Sequence, residues 1–186
     1  VTTKENLIKL ATDLILEKGF NAFSFYDLAK TMDIKTASIH YHFPTKTDLG
    51  IAVIRQQSES FIALQAANQK KDPVTKLEAF FSIYSRHKSQ GKVCMVGSLC
   101  TDLYSLDPAI EKELKPVVES ILQWVTDILK EGKRKGVFHF SATPRTKALL
   151  IITNMLGILQ VSRITGKTDF NEVRTAILKE LKTKTE

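Results

Sequence analysis

The stretch richest in groups able to do chemistry is Lys35-Thr36-Ala37-Ser38-Ile39-His40-Tyr41-His42-Phe43. Coiled as a helix, it turns Ile39 and Phe43 inward, with Ile34 before them, and leaves Lys35, Thr36, Ser38, His40 and Tyr41 outward. Small Ala37 and Ser38 let the backbone come close to a groove floor. The hydroxyls and imidazoles are of the kind that reach base edges or phosphates. A helical hairpin with a polar surface is equally compatible with this pattern. No acid lies between Asp33 and Asp48, while Lys35, His40, His42 and Lys46 fall inside that window. A basic run of this size is most often a solvated face. His40-x-His42 has the residue types of a metal site, but two residues apart on a helix they point apart. No Cys/His spacing resembles a structural zinc site. Nor is there a glycine-rich phosphate loop, a nucleophile elbow or a paired-carboxylate motif. No catalysis, metal or cofactor is therefore expected.

The elements that must position this stretch are helical nearly everywhere. Leu7, Leu10, Ala11 and Leu14 recur on one face of a first helix, which Gly19 stops. Ser24 opens S-F-Y-D, an N-cap with Asp27 three positions on, for a short second helix carrying Leu28 and Ala29 inward. A turn near Met32–Asp33 leads to the third, about 35–41. Thr45-x-x-Asp48 caps a long fourth helix to about Ala67. Pro73 starts a fifth, lined by Leu77, Phe80, Phe81 and Tyr84 and ended by Gly91. A short apolar helix spans 95–105. Asp107-Pro108 opens a segment reaching about Lys135, in which Pro116 predicts a kink or break. Thr143-Pro144 starts an apolar helix to about Ile164, and the last helix covers roughly 169–183. Val137–Phe140 is a doubtful strand. The pattern predicts an all-α fold of about nine helices. A three-helix unit over 1–50 is joined, through the shared fourth helix, to a larger bundle over 51–186. Three short helices with a tight turn between the second and third are the arrangement of a helix-turn-helix.

Phe20 to Leu49 resembles the DNA-binding domain of the TetR/AcrR family of transcriptional regulators. His42-Phe43-Pro44-Thr45-Lys46, followed by Leu49, is its most specific part, and the likeness covers residues 5–54. It implies a regulator acting on double-stranded DNA; the cysteine usage separately makes a reducing cytoplasm the expected compartment. It places Ser24 where a hydroxyl caps the second helix and touches phosphate. Lys35, Thr36, Ala37 and Ser38 fall at the recognition-helix start, in the major groove. Tyr41 and His42 belong to an aromatic cluster that contacts backbone or packs beneath it; His42 is equally compatible with a packed, hydrogen-bonded role. Lys46 opens the fourth helix, where lysine and the helix N-terminus meet phosphate. His40 stands where the family usually has tyrosine, which makes mild pH sensitivity of backbone binding an expectation.

Beyond residue 50 the likeness lies in helix count, length and apolar character. It implies an inducer site in the bundle and a homodimer on a palindromic operator. Phe81, Tyr84, Leu103, Tyr104, Trp124 and Ile128 come from three helices and mix aromatic faces with polar tips, so they are the candidate contacts of a small apolar or aromatic inducer. Taken singly, each aromatic is better explained as core. The helix from 143 to 165 is apolar nearly all round, which calls for burial on both sides. Ile152, Leu156 and Leu159, with Ala176 and Ile177 of the last helix, are the candidate dimer interface. The expected function is a ligand-released repressor. The alternative is a helical ligand-binding or interaction protein without an operator.

Charge and cysteines bound the rest. The chain has 186 residues and net charge +7, yet residues 1–50 hold six lysines against six acids, so net charge alone does not argue for DNA. No uninterrupted apolar run approaches the roughly 20 residues of a membrane span, and no membrane is expected. Two cysteines cannot form a disulfide framework. On one helix, Cys94 and Cys100 would stand about 9 Å apart in rise, too far for an unstrained bridge. A bridge stays open only if Cys94 lies in the preceding loop. A thiol sensor with Lys92 near Cys94 is a further possibility, with inert buried cysteine the commoner alternative.

Overall fold

Capping side chains set most of the helix starts. In the computed structural model, which describes residues 2–166 and 168–183, the Thr2 hydroxyl accepts from the Glu5 N–H and opens α1 (Thr3–Lys18). Gly19, at φ 92°, ends it. A short 3-10 turn, Phe20–Ala22, precedes α2 (Phe25–Met32), whose capping box is Ser24 with Asp27. Asp33, left-handed at φ 53°, closes α2. Then come α3 (Thr36–His42) and α4 (Lys46–Asn68), the latter opened by a Thr45–Asp48 box. Asp72 caps α5 (Pro73–Ser89). α6 (Met95–Asp102) continues into a 3-10 turn, Leu103–Ser105, before α7 (Pro108–Arg134). Thr143 caps α8 (Pro144–Thr165), and α9 is Thr168–Lys182. The described residues hold nine α-helices and no strand, so Val137–Phe140 is not one.

Two compact units divide the chain: Val1–Phe61 with Met95–Val117, and Ile62–Cys94 with Val118–Glu186. The first extends past the boundary expected near residue 50. Its core is Leu7, Ala11, Ile15, Leu28, Ile39, Leu49, Val53, Ile54, Leu99 and Ile110, all nearly inaccessible. The Ser98 hydroxyl donates to the Ile15 carbonyl at 3.2 Å, and Asn21 donates to Ser105 at 2.8 Å. Gly50 faces Phe20 and Ile110 so closely that a Cβ there would meet ring carbon at 2.7 Å. These contacts bind α6 and the start of α7 to α1 and α4, a long-range pairing that local periodicity does not encode.

The second unit packs α5, the later part of α7, α8 and α9 around Leu77, Phe80, Phe81, Tyr84, Val125, Leu129, Phe138, Met155 and Phe170. α7 runs through Pro116 without a break. The carbonyl that proline leaves unbonded is that of Lys112, an exposed position where water can take it. α8 is, by length and composition, apolar enough to cross a membrane, although polar residues interrupt its apolar run. Here Ala148, Ile151, Met155 and Leu159 make it the core helix of this unit.

His87, near the end of α5, is half-buried, and its Nδ1 has no hydrogen-bond partner among the described residues. Burial, with Arg86 and Lys92 adding to it, pulls the imidazole from 6.5 down to about 4. The unfolded chain therefore takes up this proton first as pH falls. The stability His87 gives by staying neutral is complete above about pH 6.5 and is lost as pH drops toward 4. The loss is roughly 2 kcal/mol, less than the full shift implies because part of the ring stays solvated. Urea unfolding near neutrality and at mildly acid pH checks this: His87→Gln flattens that part of the pH dependence.

Candidate nucleic-acid interface

α3 is seven residues long, and its inner side is fixed by two anchors. Ile39 is fully buried and Phe43 nearly so, as their spacing predicts. That orientation leaves Lys35, Ala37, Ser38, His40 and Tyr41 exposed, with Thr36 half-buried at the first turn. Ala37, Ser38 and Tyr41 share one face, and the Tyr41 ring is 85% exposed, a high solvent cost unless it meets something. Small side chains at the start and a projecting phenol at the end suit an edge that enters a groove.

Two of the expected contacts, Ser24 and His40, also make bonds within the unit, and a third, His42, is half-buried. Ser24 is exposed and engaged with Asp27: its N–H and hydroxyl each donate to the carboxylate at 2.7 Å, and its oxygen accepts from the Asp27 N–H. Those bonds hold the Asp27 carboxyl below the usual range, with Lys18 and Lys30 contributing less. His40 donates from Nδ1 to the Pro44 carbonyl at 3.1 Å and meets the Phe25 ring edge-on at 5.0 Å, so it ties α3 to α2 and to the turn before α4. His42 is half-buried and turns from the exposed face toward a cavity of about 600 Å3 with Lys4, Phe43, Asp48 and Arg55.

Lys46 departs most from expectation. Its ammonium points into the unit, donating to the Phe20 carbonyl at 2.6 Å and to that of Phe23. It also lies over both rings, 4.7 and 4.3 Å from their centroids. Desolvation lowers its pKa, and Asp27 and Asp102 partly oppose that. Lys46 thus closes the Phe20–Ala22 turn from which α2 starts. Lys46→Met leaves two carbonyls without their donor and is expected to cost about 2 kcal/mol of stability. DNA affinity should then fall for all sequences with the salt slope unchanged. A slope smaller by about one unit would put this ammonium on a phosphate instead. Spacing alone also does not mark Tyr26, an α2 ring 67% exposed; its exposure is the signal.

Four of the six expected inducer contacts share one core. Phe81, Tyr84 and Ile128 are buried in the second unit, with Trp124 packed against them. Burial pushes the Tyr84 hydroxyl well above its ordinary pKa, with Cys94 contributing. Leu103 and Tyr104 belong to the first unit, in the turn after α6, and the Tyr104 side chain is fully exposed. Cys94 precedes α6, the loop placement that left a bridge open, yet both cysteines are free thiols. Burial raises the Cys100 pKa, which disfavours its thiolate.

The apolar residues of α8 divide into two stripes. Ala148, Ile151, Met155 and Leu159 face the core. Leu150, Gly157, Val161 and Ile164 follow one another on the outside, with Leu149 beside them, and Ile164 is 91% exposed. Of the expected interface residues, Leu159 and Ile177 are spent inside the unit, and Ile152 and Leu156 are partly buried against its core. Ala176 alone is exposed.

Residues 7–53 match the family model described as bacterial regulatory proteins, tetR family. A TetR transcriptional regulator from Legionella pneumophila is 32% identical, with 98% of each chain covered and a TM-score of 0.87. A TetR-family regulator from Agrobacterium tumefaciens, 23% identical over 97% of each chain, has the same fold at a TM-score of 0.90. The HTH-type transcriptional repressor DhaR of Mycobacterium sp. (strain GP1) is 22% identical over 98% of this chain and 94% of its own. The chain belongs to the TetR family of DNA-binding transcription regulators.

Proposed function

We propose that the chain is a cytoplasmic repressor that binds a palindromic duplex operator as a homodimer and leaves it when a small apolar or aromatic molecule binds. The observation that carries this is the exposed edge of α3, where Lys35, Ala37, Ser38 and Tyr41 stand over buried Ile39. Relatives named as repressors support the sign of regulation. The outer stripe of α8, with exposed Ala176 on α9, supports the dimer, because a soluble chain seldom leaves such a run uncovered. Two-fold symmetry then asks for inverted half-sites.

The inducer's place is the core around Phe81, Tyr84, Trp124 and Ile128, where a bound molecule must favour one arrangement of the two DNA-binding units. α4 begins in one unit and ends in the other, which makes it the transmitter. A coupling of about 1–3 kcal/mol, roughly 5–150-fold in operator affinity, is enough. Trp124 is the single tryptophan and its own reporter. Titration with apolar aromatic compounds, following its emission and operator release together, should move both at one concentration. Trp124→Phe should blunt release and leave ligand-free DNA binding intact. Equal release from the variant would remove this site from the switch.

A further inference from the structure

The two units carry unlike charge. The first, which holds α3, has nine cations against eleven acids, whereas the second has eighteen against nine. Attraction to DNA at a distance therefore cannot come from the first unit's net charge. The surplus of the second gathers at one end of its bundle, where the α4–α5 link, the last turns of α7, the first turn of α8 and the last turn of α9 come together. The Lys76 ammonium meets Glu131 at 2.7 Å, the His139 N–H donates to the Leu181 carbonyl at 2.7 Å, and Lys147 meets Glu180 at 2.5 Å. The link and α5 bring Lys70, Lys71 and Lys76, with Asp72, whose carboxylate caps α5. α7 adds Lys130, Lys133, Arg134 and Lys135. Against them stand Glu131, held by Lys76 and Lys135, and Asp127, which accepts from Gln123. Arg145 and Lys147 start α8, and Lys179 and Lys182 end α9 around Glu180. Among the described residues this is eleven cations against four carboxylates. Arg174 and Glu78, the next charges along α9 and α5, pair with each other and change nothing. Helix ends do not absorb the surplus: the C-termini of α4, α7 and α9 and the N-termini of α5 and α8 together leave roughly half a negative charge. Lys130 and Arg134, one turn apart on α7, and Lys70 and Lys71 before α5 are exposed and form no ion pair among the described residues.

We propose that this basic end is a second nucleic-acid surface, which holds duplex phosphates without reading sequence. A small phosphate brings about two charges at most and would leave most of the surplus unmet. A duplex carries one charge per roughly 1.7 Å of axis, so a face two helices wide, about 20 Å, meets roughly a dozen. An anionic membrane also supplies charge, but proteins that lie on one sink an apolar face into it. Val137, 38% exposed, is the one large apolar side chain open to solvent between α7 and α8. Held by this surface, the regulator stays near DNA while α3 samples sequence. That role rests on the operator reading above; the binding itself does not.

Fluorescence anisotropy of the full chain with a short labelled duplex of arbitrary sequence, across a salt series, tests it. The chain carries Ala37→Glu, so that the α3 edge contributes least. Lys130→Gln with Arg134→Gln should lower the salt slope by about 1–2 units and weaken binding about tenfold. Lys70→Gln with Lys71→Gln should do the same, and it covers the case in which the first pair disturbs the end of α7. Lys112→Gln with Lys115→Gln, an exposed pair at the start of α7 in the first unit, removes the same charge and should leave the slope as it was. An equal loss from this control pair would make the effect one of net charge alone and overturn the surface, as would an unchanged slope in both other variants. Retention on phosphatidylglycerol vesicles with no duplex bound would overturn the choice of nucleic acid. So would displacement of the duplex by polyglutamate as readily as by unlabelled duplex. Operator selection with the wild type is run separately. Its failure would count against the regulator, while the anisotropy would still decide this surface.

Discussion

Val161→Arg should give a folded monomer that has lost tight operator binding. Val161 is 51% exposed in the single chain, so an arginine there finds water and costs the isolated fold little, within about 0.5 kcal/mol. In the dimer proposed above, with the outer stripe of α8 as its seam, the same arginine and its copy on the partner would be buried among apolar residues such as Leu150 and Ile164. Two unpaired charges in an apolar seam cost several kcal/mol, enough to dissociate a micromolar dimer. A monomer holds one half-site only, and losing the linked second contact lowers operator affinity by about 10²–10⁴. Leu159→Arg is the contrasting change. Leu159 is 1% exposed and packs in the core, so that substitution should unfold the second unit rather than release a monomer. Sedimentation together with circular dichroism separates the two results. A Val161→Arg chain that remains a dimer would place the interface elsewhere.

Ala37→Glu should abolish operator binding with almost no change in stability. The position is exposed on α3, and glutamate is nearly as good a helix former as alanine. Against DNA, the new carboxylate faces phosphates and base edges with no partner of its own. Like-charge apposition of this kind costs about 3 kcal/mol, near 100-fold. Two milder changes sort the neighbouring roles. Lys35→Ala, if its ammonium lies on phosphate, weakens all sequences alike and lowers the salt slope by about 0.9. Ser38→Ala shifts preference at one base position instead, because a base-edge contact carries the sequence information. Band-shift measurements across a salt series show both patterns.

The legible parts of this chain are those governed by neighbours in sequence. Ser24 with Asp27 and Thr45 with Asp48 are capping boxes because each needs only four residues to close, and both appear in the structure. The inner face of α3 follows from Ile39 and Phe43 alone. The parts less legible depend on distant chain. Lys46 looks like a phosphate ligand at a helix start, yet the carbonyls that claim it, of Phe20 in a 3-10 turn and of Phe23 just after it, lie over 20 residues earlier. α8 is apolar nearly all round, so its sequence has no phase with which to tell core Leu159 from exposed Val161. Leu103 and Tyr104 continue the α6 pattern by composition, but the chain tightens there into a 3-10 turn, which re-aims both side chains.

Selection of bound duplexes from a random DNA pool, run in parallel with wild type and Ala37→Glu, tests most directly whether α3 reads DNA sequence. Wild type should enrich one site made of two inverted half-sites, with affinity falling steeply as salt rises. Ala37→Glu should enrich nothing. Enrichment of the same site by both proteins, or of no site by wild type, would contradict the assignment of α3 as the reading element.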